Sequence, residues 1–302
     1  PESYFKTREL IPQEFVDEIV QAYLRTWEET HVSYDDFIRT SEPRHKEVVT
    51  RVFERLRDQG DIYKGVYEGW YCVPDETFWQ ESELIDGCCP NPECRRPVQK
   101  VQEENWFFRL SAYGDRLLEY YDAHPETLQP DFRRNEVLAF IRGGLRDASI
   151  TRSAYGWGIP VPDDPTKVIY VWFEAVIGYL SASKEWASTI GRPDEWRSYW
   201  QDPEVRSFYF LGKDNIPFHT IIWPAMLTGY GGLNLPYNVP ANEFLTFRGD
   251  KLSKSRGNSI DIPSMLQRFE VDAIRYYVAA NMPENKDADF SWADFEIKVN
   301  NE

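Results

Sequence analysis

Two short apolar runs constrain the fold of this 302-residue chain more than any other feature. Residues 168–173 and 208–211 are each a continuous stretch of apolar, β-forming side chains, which is typical of strands buried on both faces of a parallel sheet. A helical pattern follows each run, and residues 238–247 form a further strand candidate. Strands that alternate with helices in this way predict an α/β fold with a parallel sheet.

Polar and aromatic side chains follow these strand candidates. Ligands of open parallel sheets bind beyond the carboxyl ends of the strands, and Trp172 and Asp214 lie at such ends. His219 and Trp223 are four residues apart, so they share one face of the next helix. A lone histidine on such a face is more often a core residue, but its position close behind Asp214 favours a binding site.

The lysine segment, residues 251–258, reads Lys-Leu-Ser-Lys-Ser-Arg-Gly-Asn and follows the last strand candidate. Its two lysines are three residues apart, with serines beside them and a glycine behind them. Such a loop suits a polyphosphate, because lysines neutralise charge while hydroxyls and backbone N–H groups donate to phosphate oxygens. On spacing alone, an exposed basic turn explains the segment equally well.

The four cysteines are grouped in one part of the chain, which indicates a metal site or reduced thiols and not a disulfide framework. Cys72 and Asp75 form one short pair, and Cys89 and Cys94 form another about a dozen residues later. Two such pairs can surround a tetrahedral, structural Zn²⁺, with Asp75 where a cysteine is more usual and Cys88 left over. The alternative is a metal-free knuckle packed by Trp70, Phe78 and Trp79.

Composition excludes several classes of protein. The net charge of −16 argues against a generic nucleic-acid coat, because such proteins are usually basic. The chain has no run of about 18 apolar residues and its first residues have no apolar signal-peptide core, so we expect no membrane span and no secretion. Together with the grouped cysteines, this predicts a cytoplasmic protein.

Further short motifs appear in order along nearly the whole chain. They are Tyr-Glu-Gly-Trp-Tyr-Cys at 67–72, Asn-Glu-Val-Leu at 135–138, Gly-Ile-Pro-Val-Pro at 158–162, Tyr-Val-Trp-Phe-Glu-Ala at 170–175, Gly-Lys-Asp at 212–214, Phe-His-Thr-Ile-Ile-Trp-Pro-Ala at 218–225 and Asp-Ala-Ile-Arg-Tyr-Tyr at 272–277. With these motifs the sequence resembles the methionyl-tRNA synthetases, which are class I aminoacyl-tRNA synthetases. The lysine segment resembles the KMSKS loop of that class, with Leu252 in place of methionine.

The resemblance implies a fold and a division of the chain. The expected fold is α/β, a partial Rossmann-like parallel sheet that forms the second half of a class I catalytic domain, with a connective zinc-knuckle insertion and flanking helices. The implied parts are a helical segment (1–60), a zinc-knuckle-like connective insertion (61–105), a helical return of the insertion (106–150), the second half of the Rossmann-like catalytic domain (151–250), and the lysine segment with a helical stem-contact segment (251–302).

The resemblance also implies substrates and the residues that bind them. ATP with Mg²⁺, L-methionine and tRNA(Met) are the implied partners. The methionine side chain is expected in a pocket lined by Trp172, Ala175, Val176, Tyr179, His219 and Trp223. The residues implied for ATP are Lys213, Asp214, Lys251, Ser253, Lys254 and Ser255. Lys251 and Lys254 would stabilise the departing pyrophosphate, and Arg152 would lie near the reacting carboxylate and phosphate.

Some features of the family pattern do not occur in this sequence. The chain has four histidines, at 31, 45, 124 and 219, and none of them forms the family's His-x-Gly-His motif. We therefore expect an incomplete chain without the N-terminal ATP-binding half and the anticodon-binding domain, inactive unless that half is supplied in trans. Asn242 and Glu243 also stand where many members have His-Gly.

Two functions remain open from the sequence. One is the catalytic region of a methionine–tRNA ligase, which activates methionine as methionyl-adenylate and transfers it to tRNA. The other is a non-catalytic relative that binds methionine, tRNA or a protein partner. The retained lysine segment and pocket residues favour the first function. A half-sheet would also expose a strand edge, so we expect the isolated chain to aggregate or pair.

Overall fold

A computed structural model describes residues 11–75, 77–79, 81–91, 94–154, 156–247, 249–251 and 260–301. The chain begins with helices α1 (Pro12–Glu29) and α2 (Pro43–Asp58), each with a proline in its first turn, where the missing N–H group costs nothing. Helix α2 packs into the core through Val49, Phe53 and Leu56, which are all fully buried.

A long antiparallel ribbon follows these helices. Strand β1 (Ile62–Cys72) pairs with β3 (Gln99–Phe108), from Ile62 opposite Phe108 at the base to Tyr71 opposite Gln99 at the tip. Short strands β2 (Thr77–Trp79) and β4 (Ala148–Ser149) extend this sheet in the order β2-β1-β3-β4. The base is buried in the core, so the segment that carries the cysteines lies at the far end of the ribbon.

The chain then returns to the core through two helices and a small antiparallel sheet. The helices are α3 (Gly114–Ala123) and α4 (Asp131–Arg142). The strands are β5 (Thr151–Ser153), β6 (Ile159–Val161) and β7 (Asp164–Ile169), in the order β5-β7-β6.

The apolar run at residues 168–173 is not the single strand that the sequence predicts. Strand β7 ends at Ile169 and is antiparallel to both of its neighbours. Helix α5 (Val171–Glu174) begins immediately, so Trp172 lies on a helix and not at a strand end. The run combines the end of a strand that buries Ile169 with a helical turn that buries Phe173, while Val171 and Trp172 are exposed. Periodicity alone cannot distinguish these two cases.

The parallel pairing that the sequence predicts is present in the next part of the chain, which confirms the α/β class. Phe208 bridges Asn238 in parallel, and β8 (Leu211–Gly212) pairs in parallel with β9 (Ala241–Asn242). The connection between them runs through a π-helical turn (Phe218–Ile222) and helix α8 (Trp223–Tyr230). Helices α6 (Gly178–Thr189) and α7 (Trp196–Trp200) lie between β7 and this parallel pair in the chain.

The last part of the described chain has a sheet and a core of its own. Its strands are β10 (Leu245–Phe247), β11 (Asp250–Lys251) and β12 (Ala288–Phe290), with β10 central, parallel to β12 and antiparallel to β11. Its helices are α9 (Ile262–Leu266), α10 (Val271–Ala280) and α11 (Trp292–Asn301). A small core forms here, separate from the larger core of the preceding elements, from Met265, Ile274, Tyr277, Phe290 and Phe295.

Among the residues that the model describes, we find no helix that combines the length and the apolar character needed to cross a bilayer.

Candidate active site

Four side chains from different parts of the fold form an aromatic cluster beside the parallel pair. The aromatic cluster consists of Tyr179 on α6, Tyr209 beside β8, His219 in the π-helical turn and Trp223 at the start of α8. The Tyr179 ring lies edge-on to Tyr209, with centroids 4.8 Å apart, and 5.7 Å from His219. The Trp223 indole N–H donates to the Tyr209 hydroxyl at 3.2 Å. Three residues that the sequence assigns to one pocket therefore lie together.

The hydrogen bonds of His219 define its tautomer. Nδ1 lies 3.0 Å from the carbonyl oxygen of Asn215, which can only accept, so Nδ1 carries the proton. Nε2 lies 2.8 Å from the Tyr179 hydroxyl and accepts from it. Burial lowers the pKa of His219, which keeps the ring neutral and is consistent with both bonds. The cluster thus presents aromatic faces and no net charge.

The remaining pocket candidates lie on the segment that leads into α6. Trp172 is 44% exposed and stacks on Phe218, with centroids 5.0 Å apart and an angle of 17° between the rings. Val176 is buried and Ala175 is half-buried, in a 3₁₀ turn between α5 and α6. Trp172 thereby presents an accessible aromatic surface beside the cluster, which suits an apolar and polarizable ligand.

Lys213 and Asp214 come directly after β8, at the carboxyl end of the parallel pair. Lys213 Nζ donates to Glu243 Oε2 at 2.6 Å and to Asp287 Oδ1 at 2.7 Å. Glu243, whose side chain is 9% exposed, also forms an ion pair with Arg133 on α4. Glu243, one of the two residues noted above as different from the family pattern, is therefore the centre of a charged network.

Arg152 on β5 lies close to the start of the pocket segment. Its Nη1 donates to the carbonyl oxygens of Thr151 at 2.8 Å and Ser149 at 3.3 Å. Its guanidinium carbon is 4.1 Å from the ring centroid of Tyr170, the residue that precedes α5. These contacts hold the guanidinium beside the turn that carries Trp172.

The lysine segment leaves from the small sheet of the last part of the chain. Lys251 is in β11, where its backbone pairs with Thr246 of β10. Ser253, Lys254 and Ser255 lie outside the described residues.

The four ligand candidates of the knuckle come together at the tip of the ribbon. The donor atoms of Cys72, Asp75, Cys89 and Cys94 all lie within 4.8 Å of one another. The Cys72 and Cys94 sulfur atoms are 3.4 Å apart, and the Cys89 sulfur is 3.0 Å from Asp75 Oδ2. In tetrahedral coordination with Zn–S bonds of about 2.3 Å, two sulfur ligands are about 3.8 Å apart, so this donor set fits zinc.

Two further observations bear on the knuckle. Burial raises the pKa of the Cys89 thiol to about 12, so that a cation is needed to hold it as a thiolate. Asn91 Nδ2 donates to Asp75 Oδ2 at 2.9 Å and orients the carboxylate. Cys88 is not in the group, as the sequence predicts.

Sequence reasoning missed some residues that contribute to this geometry. Tyr209 lies within the apolar run at 208–211, and nothing in the sequence distinguishes it from its neighbours. Phe218 belongs to the motif at 218–225, but nothing in that motif indicates its stack with Trp172. Glu243 was noted only as a departure from the family, and its contacts with Lys213 and Arg133 join positions far apart in the sequence.

Comparisons with a family model, with curated proteins and with solved structures all indicate the same family. The family model for "tRNA synthetases class I (M)" matches residues 5–101 and 94–302. A methionine–tRNA ligase of Caldanaerobacter subterraneus is 47% identical over 280 residues, covering 93% of this chain and 42% of the relative. One from Thermotoga maritima is 47% identical over 284 residues, covering 93% and 43%. The chain thus spans less than half the length of these curated relatives.

Solved structures of similar fold include the methionyl-tRNA synthetase of Mycobacterium tuberculosis. A crystal structure bound by methionyl-adenylate has a TM-score of 0.83 and 35% identity, covering 98% of this chain and 57% of that chain. The free state of the same enzyme gives a TM-score of 0.77 and 35% identity, covering 96% and 55%.

Proposed function

Because the chain belongs to the methionine-type family of class I tRNA synthetases, we propose that it forms part of the catalytic region of a methionine–tRNA ligase. The proposed reaction is the ATP-dependent activation of methionine and its transfer to tRNA(Met). Similarity to an enzyme whose structure contains methionyl-adenylate supports this proposal. So does the accessible aromatic surface at the carboxyl end of the parallel pair.

The proposed methionine pocket is the aromatic cluster together with Trp172, Ala175 and Val176. A thioether is apolar, polarizable and flexible, and aromatic faces give it favourable sulfur–ring contacts. The neutral His219 supports this assignment, because an imidazolium would attract anions into the pocket. The Tyr179–His219 hydrogen bond fixes the orientation of these two rings relative to each other.

The proposed ATP site lies at the end of β8. Asp214 accepts hydrogen bonds from the ribose hydroxyls, with Lys213 at the same edge. Lys251, Ser253, Lys254 and Ser255 contact the phosphates, and Mg²⁺ accompanies ATP. The position of Asp214 directly after a parallel strand supports this assignment.

The proposed chemistry needs no nucleophile from the protein. The methionine carboxylate attacks the α-phosphorus, methionyl-adenylate forms, and pyrophosphate leaves with the bridging oxygen's electron pair. Lys251 and Lys254 stabilise the charge that develops on pyrophosphate, and Arg152 stabilises the reacting carboxylate and phosphate. A terminal ribose hydroxyl of tRNA then attacks the methionyl carbonyl and releases AMP.

The proposed metal at the ribbon tip is a structural Zn²⁺ held by Cys72, Asp75, Cys89 and Cys94. Four protein ligands leave no open coordination position, which supports a structural role. The cysteines are free thiols, which suit a reducing compartment and support the cytoplasm as the location.

The observation that carries the proposed function is the Tyr179–His219 pair inside the aromatic cluster. Isothermal titration calorimetry of the chain with L-methionine tests it directly, with L-leucine as the control ligand and His219→Ala as the control variant. We expect saturable binding of methionine by the wild-type chain, weaker binding of leucine, and loss of methionine binding in the variant. A folded chain that binds neither amino acid contradicts the proposal.

Catalysis is tested by methionine-dependent exchange of pyrophosphate into ATP. We expect exchange when a polypeptide with the ATP-binding half of a relative is added. Methionine binding without exchange under those conditions identifies a non-catalytic binding protein instead.

A further inference from the structure

Three polar side chains form a hydrogen-bonded group inside the larger core, next to the aromatic cluster but separate from it. They are His45 on α2, Glu174 at the end of α5, and Ser181 on α6, which are 0%, 4% and 1% exposed. His45 Nε2 is 2.6 Å from Glu174 Oε2, and His45 Nδ1 is 3.1 Å from Ser181 Oγ. We refer to these three residues as the buried clasp.

The protons of the buried clasp can be assigned from its geometry. The Ser181 hydroxyl donates to the carbonyl oxygen of Ile177 at 3.1 Å, so its oxygen accepts from His45 Nδ1–H. One proton then lies between His45 Nε2 and Glu174, on either the carboxyl or the ring. Both ring nitrogens are therefore satisfied in a site from which water is excluded, where an unpaired polar group would be costly.

The buried clasp holds both ends of the segment that carries the pocket residues. Glu174 directly precedes Ala175 and Val176, and Ser181 comes two residues after Tyr179. Between Glu174 and Ser181 the backbone changes from α-helix to a 3₁₀ turn and back to α-helix. A single imidazole thus spans the irregular part of the helix.

The backbone of this segment also approaches α2 closely. A Cβ atom at Gly178 would lie 3.5 Å from Ile38 Cγ2 and 3.9 Å from His45 Cε1, which are ordinary van der Waals distances, so the backbone at Gly178 lies about one methyl group away from the ring. The ring is therefore held by hydrogen bonds at both nitrogens, and the backbone of Gly178 lies close to it.

We infer that His45 and Glu174 are positioning residues for methionine recognition. They fix the irregular turn and thereby hold Tyr179 at hydrogen-bond distance from His219. Neither residue contacts the ligand, and both act through the segment between them. This inference rests on the proposed function for its ligand, but the placement of Tyr179 is testable without any ligand.

The test compares two substitutions of nearly equal size at one position. In Glu174→Gln the side-chain amide can still donate to His45 Nε2, while in Glu174→Leu no bond remains. In calorimetry, we expect Glu174→Leu to weaken methionine binding by about ten-fold or more, because small displacements of positioning groups have large effects. We expect the glutamine variant to stay within about three-fold of wild type, since the bond survives.

A matched control separates positioning from general loss of stability. Phe290→Leu reduces packing in the separate smaller core, and we expect it to lower the melting temperature without changing methionine affinity. If Glu174→Leu does not fold, Ser181→Ala releases the other end of the clasp and should weaken methionine binding in the same direction. A folded Glu174→Leu or Ser181→Ala variant with wild-type affinity overturns the inference.

A second readout is independent of ligand binding. The chain has four histidines, so ¹⁵N spectra of the imidazole rings are simple to assign by substitution. We expect Glu174→Leu to shift the His219 Nε2 signal away from its hydrogen-bonded position, while Glu174→Gln leaves it unchanged. If the wild-type chain binds no methionine, the proposed function fails, and this signal alone decides the inference. An unmoved His219 signal in Glu174→Leu then overturns it.

Discussion

At the scale of single residues, the site depends on His219 being neutral. The ring donates through Nδ1 to a carbonyl and accepts through Nε2 from Tyr179. A second proton on Nε2 would face the Tyr179 hydroxyl, which would have to reverse its direction. The protonation state of His219 therefore sets the direction of its hydrogen bond with Tyr179.

This leads to a prediction for pH dependence. Burial lowers the pKa of His219 from 6.5 in the folded state. The unfolded chain takes up the proton first on acidification, so the contribution of His219 to stability is complete above about pH 6.5 and is lost as the pH falls toward the folded-state pKa. Urea unfolding should show that wild type loses more stability between pH 7.5 and pH 5 than His219→Gln does.

The control for this prediction is His31→Asn. His31 is exposed and has a positive φ of 54°, which asparagine tolerates well. We expect this variant to have the same pH dependence as wild type. Equal pH dependence of wild type and His219→Gln would contradict the prediction.

The sequence predicts candidate site residues, but it does not predict their partners. Trp172, His219 and Trp223 are predicted from strand and helix patterns, although Trp172 lies on a helix and not at the predicted strand end. His45 and Glu174 are 129 positions apart, and nothing in the local pattern of either residue indicates a buried hydrogen bond. Contacts of this kind depend on how α2 packs against α5 and α6, which is a property of the whole core.

At the scale of elements, the sequence predicts whether a segment is a helix or a strand better than it predicts where that element begins and ends. The parallel pair around β8 and β9 is confirmed, because strand-forming runs with turn residues after them are strong local signals. The prediction of a single strand over residues 168–173 was wrong, because apolar composition does not distinguish a strand from a helical turn. The backbone bonds from Phe173 N and Glu174 N to Tyr170 O show that a helix begins after Tyr170.

The ribbon tip gives a prediction at this scale. Cys94→Ser should remove one metal ligand and lower the zinc content measured by mass spectrometry from about one equivalent to a small fraction, because structural sites need all four ligands. The melting temperature should fall with it. Cys88→Ser is the matched control, since Cys88 lies in the same segment but outside the ligand group.

The zinc contents of the two variants and of the wild-type chain distinguish the proposed ligand set from the alternatives. Loss of zinc in both variants would mean that the ligand set is different from the one proposed. Absence of zinc in the wild-type chain, purified without chelators, would favour the metal-free knuckle.

At the scale of the whole molecule, two separate cores meet through polar contacts. Lys213 joins the parallel pair to Asp287 of the last part of the chain, and Arg275 donates from that part to the carbonyl oxygen of Thr30 at 2.7 Å. The backbone N–H of Glu243 donates to Pro283 at 2.7 Å. Charge and hydrogen bonds therefore contribute to the junction between the two parts.

A double-mutant cycle tests the strength of this junction. Lys213→Met and Glu243→Gln should show a coupling energy of about 1–2 kcal/mol in urea unfolding, because the Glu243 side chain is 9% exposed and the pair is little screened. Arg51 and Glu47, an exposed pair on α2, are the control, with an expected coupling of about 0.3–0.5 kcal/mol. Equal coupling in the two pairs would show that the junction pair is solvated.

The ribbon of β1 and β3 has a mechanical consequence. Ten paired residues reach about 30 Å from base to tip, so the ribbon is a long arm. A rotation of one degree at Ile62 and Phe108 moves the cysteines by about 0.5 Å, by the geometry of an arm of that length. The rotation is centred on the buried base, and the cysteines lie at the opposite end of the ribbon. A displacement of a few tenths of an ångström at the cysteines therefore requires a rotation of less than one degree at the buried base.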